Sequence, residues 1–295
     1  MIVAQVFGQV VLLWDGERMQ SANLTRRLKE RAGRGTATIA VGDEVEAQPD
    51  GSGDLAVVSV APRRTSLERV SGNGRDHQVV AANAEQAVIV SSAAEPPFRR
   101  GLVDRWGLLA RRGNLEPILC LNKIDLVTSE RAEGMIQEAA FPMRHLFVSA
   151  KTGVGMDELR DALKRRISVL VGHSGVGKSS LLHQLFPSEE IVMGDLSVKS
   201  GKGRHTTSSA RLFALSGGGL VIDTPGVRSV ALGETTAAEV AAVFPEIAAA
   251  PRCRFSTCTH RMEPGCTVLA AVASEALSKE TYSRYRKLLL EAEVQ

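Results

Sequence analysis

Hydrophobic and polar positions alternate in short bursts over the first 62 residues. Apolar-rich runs at 2–6, 9–13, 37–39, 44–47 and 55–60 are separated by turn signals at Asp15-Gly16, Gly42-Asp43 and Asp50-Gly51. Alternation with period two sends successive side chains to opposite faces, so each run predicts a half-buried strand. Five strands at this spacing predict a small barrel; an OB-fold suits the length, with an SH3-like barrel as the alternative. Beyond about residue 78 the texture changes to near-continuous apolar runs at 86–90, 117–121, 145–148, 167–171 and 220–222. Such runs suit a parallel sheet buried on both faces. Between them Leu102, Trp106 and Leu109 recur at helical spacing before Gly113, which places Trp106 in a core. Residues 156–166 predict a second helix, with Asp157 and Glu158 at its positive end and Lys164 to Arg166 at its negative end. Strands alternating with helices predict a doubly wound α/β domain. Residues 71–76, with Gly72, Asn73 and Gly74, read as a linker.

Composition narrows the class. With 44% hydrophobic and 23% charged residues, the chain of 295 can bury cores for two or three domains and is not dominated by disorder. No run reaches the roughly 18 apolar residues of a membrane helix, and the N-terminus has neither a basic leader nor a small-residue cleavage site, so a cytoplasmic protein without membrane contact is expected. The net charge of +3 permits an acidic partner without demanding one. A local cluster, Arg26, Arg27, Lys29, Arg31 and Arg34, makes RNA the expected partner of the barrel.

Candidate chemistry concentrates in a few strings. After the strand at 167–171 comes Gly172-His173-Ser174-Gly175-Val176-Gly177-Lys178-Ser179-Ser180, a full P-loop pattern with a strand before it and a helix after it. Its amides can wrap phosphate, Lys178 can meet the terminal phosphates and act in catalysis, and Ser179 can hold Mg²⁺. Asn122-Lys123-Ile124-Asp125 ends another apolar strand. A carboxylate at Asp125 can accept from both N1 and N2 of guanine, whereas adenine offers no matching pair of donors. Ser149-Ala150-Lys151, ending a third strand, resembles the second guanine-contacting loop of GTPases. Asp223-Thr224-Pro225-Gly226 has the residue types for a second switch: Asp223 for a magnesium-bound water and the Gly226 amide for the γ-phosphate. Gly203 to Thr207 predicts the first switch, with Thr206 or Thr207 as magnesium ligand; similarity to bacterial GTPases favours Thr207. A glutamine that positions water in Ras-like enzymes is replaced by Val227, which leaves His205 as the candidate for that role.

Cys253, Cys258, His260 and Cys266 supply three thiolates and one imidazole, the ligand set of a closed structural zinc site. Cys120, inside an apolar run, reads as a buried small side chain. The helix predicted from Ser278 onward carries Tyr282, Arg284, Tyr285, Arg286 and Lys287, suited either to RNA or to packing on the cysteine segment.

The base-recognition strings precede the P-loop, the reverse of the usual order. With the N-terminal barrel and the cysteine cluster, this order resembles the bacterial family of circularly permuted, small-ribosomal-subunit-dependent GTPases (the RsgA or YjeQ type). The resemblance spans the chain, including Arg63-Arg64 to Arg69 and Ala81-Ala82-Asn83; His173 stands where the family often has Gln, and Val70 to Gly74 replaces a proline-containing junction. It implies an OB-fold RNA-binding domain at 1–70, a circularly permuted GTPase domain at 75–240 and a mainly helical zinc-binding domain at 241–295. It further implies a monomeric maturation factor that binds GTP or GDP with Mg²⁺ and one Zn²⁺. Its partners would be the small ribosomal subunit and rRNA, not DNA, and it would leave after hydrolysis.

Overall fold

The computed structural model describes residues 1–28, 39–51, 54–70, 77–138, 143–186, 210–225, 230–233 and 235–293. The N-terminal strands are β1 (Ile2–Phe7), β2 (Val10–Trp14), β3 (Met19–Leu24), β4 (Val45–Pro49) and β5 (Leu55–Val60). They pair in the order β1-β2-β3-β5-β4, with β3 and β5 parallel, and an Ile2–Glu44 bridge brings the β4 end back to β1. Val3, Val11, Leu13, Ala22, Leu24, Val45 and Val57 fill the interior. This is the five-stranded, partly open barrel of an OB-fold. One expected strand moves. Ile39 lies in no strand and residues 37–38 fall outside the described residues, while the third strand is β3, MQSANL. Ser, Asn and Ala have little intrinsic preference for extended structure; burial of Ala22 and Leu24 and pairing on both sides hold this segment in the barrel.

The second body is built on β8 (Gln86–Ser92), β9 (Glu116–Asn122), β10 (Arg144–Phe147), β11 (Ile167–Gly172), β12 (Arg211–Ala214) and β13 (Leu220–Asp223). The order is β10-β9-β8-β11-β13-β12, parallel except for β12. β8 is buried along its whole length, as its unbroken apolar run predicts. Helix α1 (Arg100–Arg112) packs on β8 and β9 with Trp106 buried. Helices α2 (Ser129–Glu138), α3 (Met156–Leu163) and α4 (Lys178–Leu185) complete the layers. α3 stops at Leu163, because Arg165 turns left-handed at φ 59°, so Lys164 to Arg166 lie beyond the helix. β12 also pairs with β1 of the barrel through Gln5 and Arg211, which joins eleven of the described strands into one sheet.

The linker expected at 71–76 lies outside the described residues, yet the strands on either side are partners. β6 (Ser66–Val70) and β7 (His77–Ala82) pair antiparallel from Ser66–Ala82 to Val70–His77, and β6 packs on α1. Paired strands thus flank the segment on both sides. Similarly, α5 (Ala237–Ala242), opened by a Thr236–Glu239 capping box, spans the expected 240/241 boundary. It packs with α6 (Pro245–Ala248) and α8 (Lys279–Glu293), which places it with the C-terminal helices and α7 (Thr267–Ala273).

Candidate functional site

The carboxyl ends of β8, β9, β10, β11 and β13 meet at one edge, where ligands gather in open α/β sheets. The loop from Gly172 to Gly177 leaves β11 and enters α4 at Lys178. Gly175 and Gly177 have φ of +84° and +96°, and a Cβ on Gly177 would fall 2.3 Å from Asn122 Nδ2. Left-handed turns at these two positions bend the backbone into a concave nest of amides, the usual receptor for an anion.

Asn122 is the hub. Its Nδ2 donates to the Val176 carbonyl at 2.9 Å, and its Oδ1 accepts from the Ala150 amide at 3.1 Å. One buried side chain thus joins the P-loop to the Ser149-Ala150-Lys151 turn. Lys123, itself left-handed at φ 66°, donates from Nζ to the Gly175 carbonyl at 2.8 Å and to the Glu95 carbonyl. Ser149 is fully buried; its hydroxyl donates to Asp125 Oδ1 at 2.6 Å and accepts from the Thr152 amide at 3.1 Å. Asp125 retains acceptor capacity, and Lys151, which follows Ala150 in the chain, is exposed. Ser179 and Ser180, exposed at the start of α4, present hydroxyls at its positive end.

Lys178 is buried, and its Nζ donates to the Gly172 carbonyl at 2.9 Å. Burial pushes its ammonium pKa down, while the nearby Asp223 charge pulls it up. Burial raises the Asp223 carboxyl to about 6 against the pull of Lys178. Asp223 Oδ1 is buried and, among the described residues, accepts no hydrogen bond. A buried acceptor of this kind is costly without a cation or a donor, so Asp223 and Ser179 fit a hydrated divalent cation. The Thr224 hydroxyl donates to the Leu170 carbonyl at 2.6 Å and pins the turn after β13 to β11. His205, Thr206, Thr207, Gly226 and Val227 lie outside the described residues, as do Lys29, Arg31 and Arg34; Arg26 and Arg27 are exposed.

Far from this edge, Cys253, Cys258, His260 and Cys266 place their ligand atoms within 4.8 Å of one another. His260 Nδ1 lies 3.5, 3.5 and 3.3 Å from the three sulfurs, and Cys253 and Cys266 sulfurs are 3.9 Å apart. A tetrahedral ion with metal–sulfur bonds of about 2.3 Å has sulfur–sulfur edges of about 3.8 Å and sulfur–nitrogen edges of about 3.5 Å. The cluster fits. Burial lowers the His260 pKa and favours the neutral ring that ligates.

Glu263, which motif reading passed over, organises the ligand loop. Its carboxylate accepts from the Thr259 amide and hydroxyl at 2.7 and 2.6 Å and from the Arg261 and Met262 amides at 2.7 and 3.0 Å. A carboxylate inside a tight cysteine–histidine spacing was the available signal. The aromatic residues of α8 turn to packing: Tyr282 donates to the His260 carbonyl at 2.7 Å, and Tyr285, fully buried, donates to the Thr259 carbonyl at 2.9 Å. Cys120 is buried within β9, and its thiol is pushed up to about 12 by that burial.

Comparison with known proteins agrees with this geometry. The family model described as RsgA GTPase matches residues 60–233. The chain is 39% identical over 305 aligned positions to the small ribosomal subunit biogenesis GTPase RsgA of Chlorobaculum parvum, covering 98% of this chain and 96% of that protein. It is 40% identical to the protein of the same name from Moorella thermoacetica, covering 90% and 89%. The crystal structure of YjeQ from Thermotoga maritima superposes with a TM-score of 0.74 at 28% identity, covering 100% of this chain and 98% of that one. YloQ, a circularly permuted GTPase, superposes with a TM-score of 0.69 at 25% identity, covering 99% and 94%.

Proposed function

Because the chain belongs to the RsgA GTPase family, we propose that it is a GTP hydrolase of late small-ribosomal-subunit maturation. It binds the subunit and its rRNA, hydrolyses GTP to GDP and phosphate faster when bound, and is then released. The observation that carries the reading is the pair of bonds from Asn122 to Val176 and Ala150. They assemble three separate strings into one nucleotide site although the base-recognition strings come first in the chain.

In this reading Asp125 accepts from the two guanine donors, held in orientation by the Ser149 hydroxyl, and the Ala150 amide borders the base. The amides of the 172–177 loop and Lys178 hold the phosphates and stabilise charge spread over the phosphoryl oxygens. Ser179, Thr207 and, through water, Asp223 would hold Mg²⁺, which would supply positive charge to the terminal phosphates. Water attacks the γ-phosphate in line with the GDP leaving group. Val227 can neither orient nor polarise that water, so intrinsic turnover is slow, with His205 and the γ-phosphate-sensing Gly226 amide completing the site on the ribosomal subunit. Cys253, Cys258, His260 and Cys266 hold Zn²⁺, which closes the loop against α8 without an open catalytic position. The domains are a barrel facing rRNA, the permuted GTPase body and the zinc-bearing helical segment, in a monomer of the cytoplasm. No described helix is long and apolar enough to cross a membrane.

A multiple-turnover phosphate-release assay with and without purified small subunits tests the reading. Turnover is expected to rise at least about tenfold with subunits, the scale on which completed catalytic groups act. Equal rates with and without subunits would sink the ribosomal assignment, and absence of GTP-specific release in both would sink the enzymatic one.

A further inference from the structure

Three successive carbonyls of the P-loop are each held by a side chain. Val176 oxygen accepts from Asn122 Nδ2, Gly175 oxygen from Lys123 Nζ, and Ser174 oxygen lies 2.8 Å from His173 Nδ1. In a trans peptide the carbonyl and the following N–H point in opposite directions. Fixing these oxygens on the outer side of the loop therefore aims the Gly175, Val176 and Gly177 amides inward, into the concave side. The first two latches come from the Asn122-Lys123 string; the third comes from the loop itself.

The two ring nitrogens of His173 face different neighbours. Ser174 oxygen can only accept, so Nδ1 is the donor of that contact. On the other side Arg99 Nη1 lies 3.5 Å from Nε2, and a guanidinium can only donate, so Nε2 is the acceptor there. Arg99 is the N-cap residue immediately before α1, so the ring also ties the P-loop to the start of that helix.

We propose that His173 is a positioning residue of the P-loop: it donates to the Ser174 carbonyl, accepts from Arg99, and thereby points the Gly175 amide at the nucleotide phosphates. This rests on the reading of the 172–180 string as the phosphate site. The group acts on the backbone and not on the reacting atoms, so its signature is the donor–acceptor pair and not ring volume.

Full-length His173→Phe, His173→Gln and Lys178→Ala proteins, compared by fluorescent GDP binding, GTP turnover and thermal melting, test it. Phe keeps the volume of a ring without a donor; Gln has both an N–H donor and a carbonyl acceptor. GDP affinity is expected to fall about tenfold in His173→Phe, the scale of one charge-assisted amide bond. His173→Gln should stay within about twofold of the parent, with the melting temperature of both nucleotide-free His173 variants unchanged. Parent-like affinity in His173→Phe, or a His173→Gln as weak as His173→Phe, overturns the inference. Should either His173 variant melt early, the comparison between Gln and Phe at a temperature where both are folded decides the question. If Lys178→Ala itself binds GDP like the parent, the phosphate-site reading fails, not the role of His173 alone.

Discussion

At the scale of single residues, the site is defined by buried polar groups waiting for partners. Asp223 shows the cost. Its carboxyl is raised from 3.8 to about 6 by burial, so the folded, nucleotide-free protein favours the acid form more than the unfolded chain does. The linkage sign follows: the folded state binds more protons between these values, and stability rises as pH falls from about 6 towards 4. Above pH 6 the ionised group costs about 3 kcal/mol. Asp223→Asn should therefore raise the melting temperature of the nucleotide-free protein at pH 7 by several degrees and flatten its pH dependence. It should also abolish the tightening of nucleotide binding by Mg²⁺. Fluorimetric melting across pH and a Mg²⁺ titration check both, and a lower melting temperature for the variant would contradict the account. The identities of Asn122, Asp125, Lys178 and Asp223 were legible because each sits in a short string whose chemistry is local. Their contacts were not: Asn122 reaches Val176 across 54 positions, and no spacing rule carries a bond over that separation. Glu263 was missed for a related reason: its place inside the cysteine–histidine spacing was visible, but its role comes from the turn that brings four donors together around it.

Among elements, α1 and α8 are joined by three ion pairs. Asp104 on α1 is buried and accepts two bonds from Arg284 on α8 at 2.7 and 2.8 Å. Burial pushes the Asp104 carboxyl up, against the attraction of Arg284. Arg105–Glu291 at 2.6 Å and an Arg100–Glu280 pair flank it on more open ground. Buried pairs behave asymmetrically: removing one partner strands the other charge, whereas replacing both costs little. Arg284→Ala should destabilise by about 3 kcal/mol in urea unfolding, and Asp104→Leu combined with Arg284→Met should recover most of that loss. Additive losses in the double variant would reject the pair as the cause. Helix α8 could be predicted from its periodicity, but which surface its Tyr and Arg residues meet could not. The same amphipathic side chains serve a wet face or a buried one, and only the neighbouring Thr259 and His260 carbonyls decided for packing.

In the molecule as a whole, the barrel and the α/β body share one sheet through β1 and β12, while the C-terminal helices pack into the main core and the loops at 250–266 gather the cysteine cluster. The loops from 250 to 266 hold little regular structure and few buried apolar groups, so bound Zn²⁺ would supply their folding energy. Chelation is expected to raise hydrogen exchange and protease cleavage in 251–293 first, with the barrel and β8 to β11 protected until later; uniform loosening, or none, would count against it. The sequence alone determined the class: contiguous strings predict a phosphate loop, a guanine-recognising carboxylate and a four-ligand metal set, and local period specifies strands and helices. Tertiary structure alone decided that the weak β3 segment joins the barrel, that β6 pairs with β7 and packs on α1, and that the barrel extends the central sheet. The division has a physical origin. Covalent spacing and side-chain period act over a few residues, whereas strand pairing, burial of a shared face and the satisfaction of buried carbonyls depend on partners that only the folded chain brings within reach.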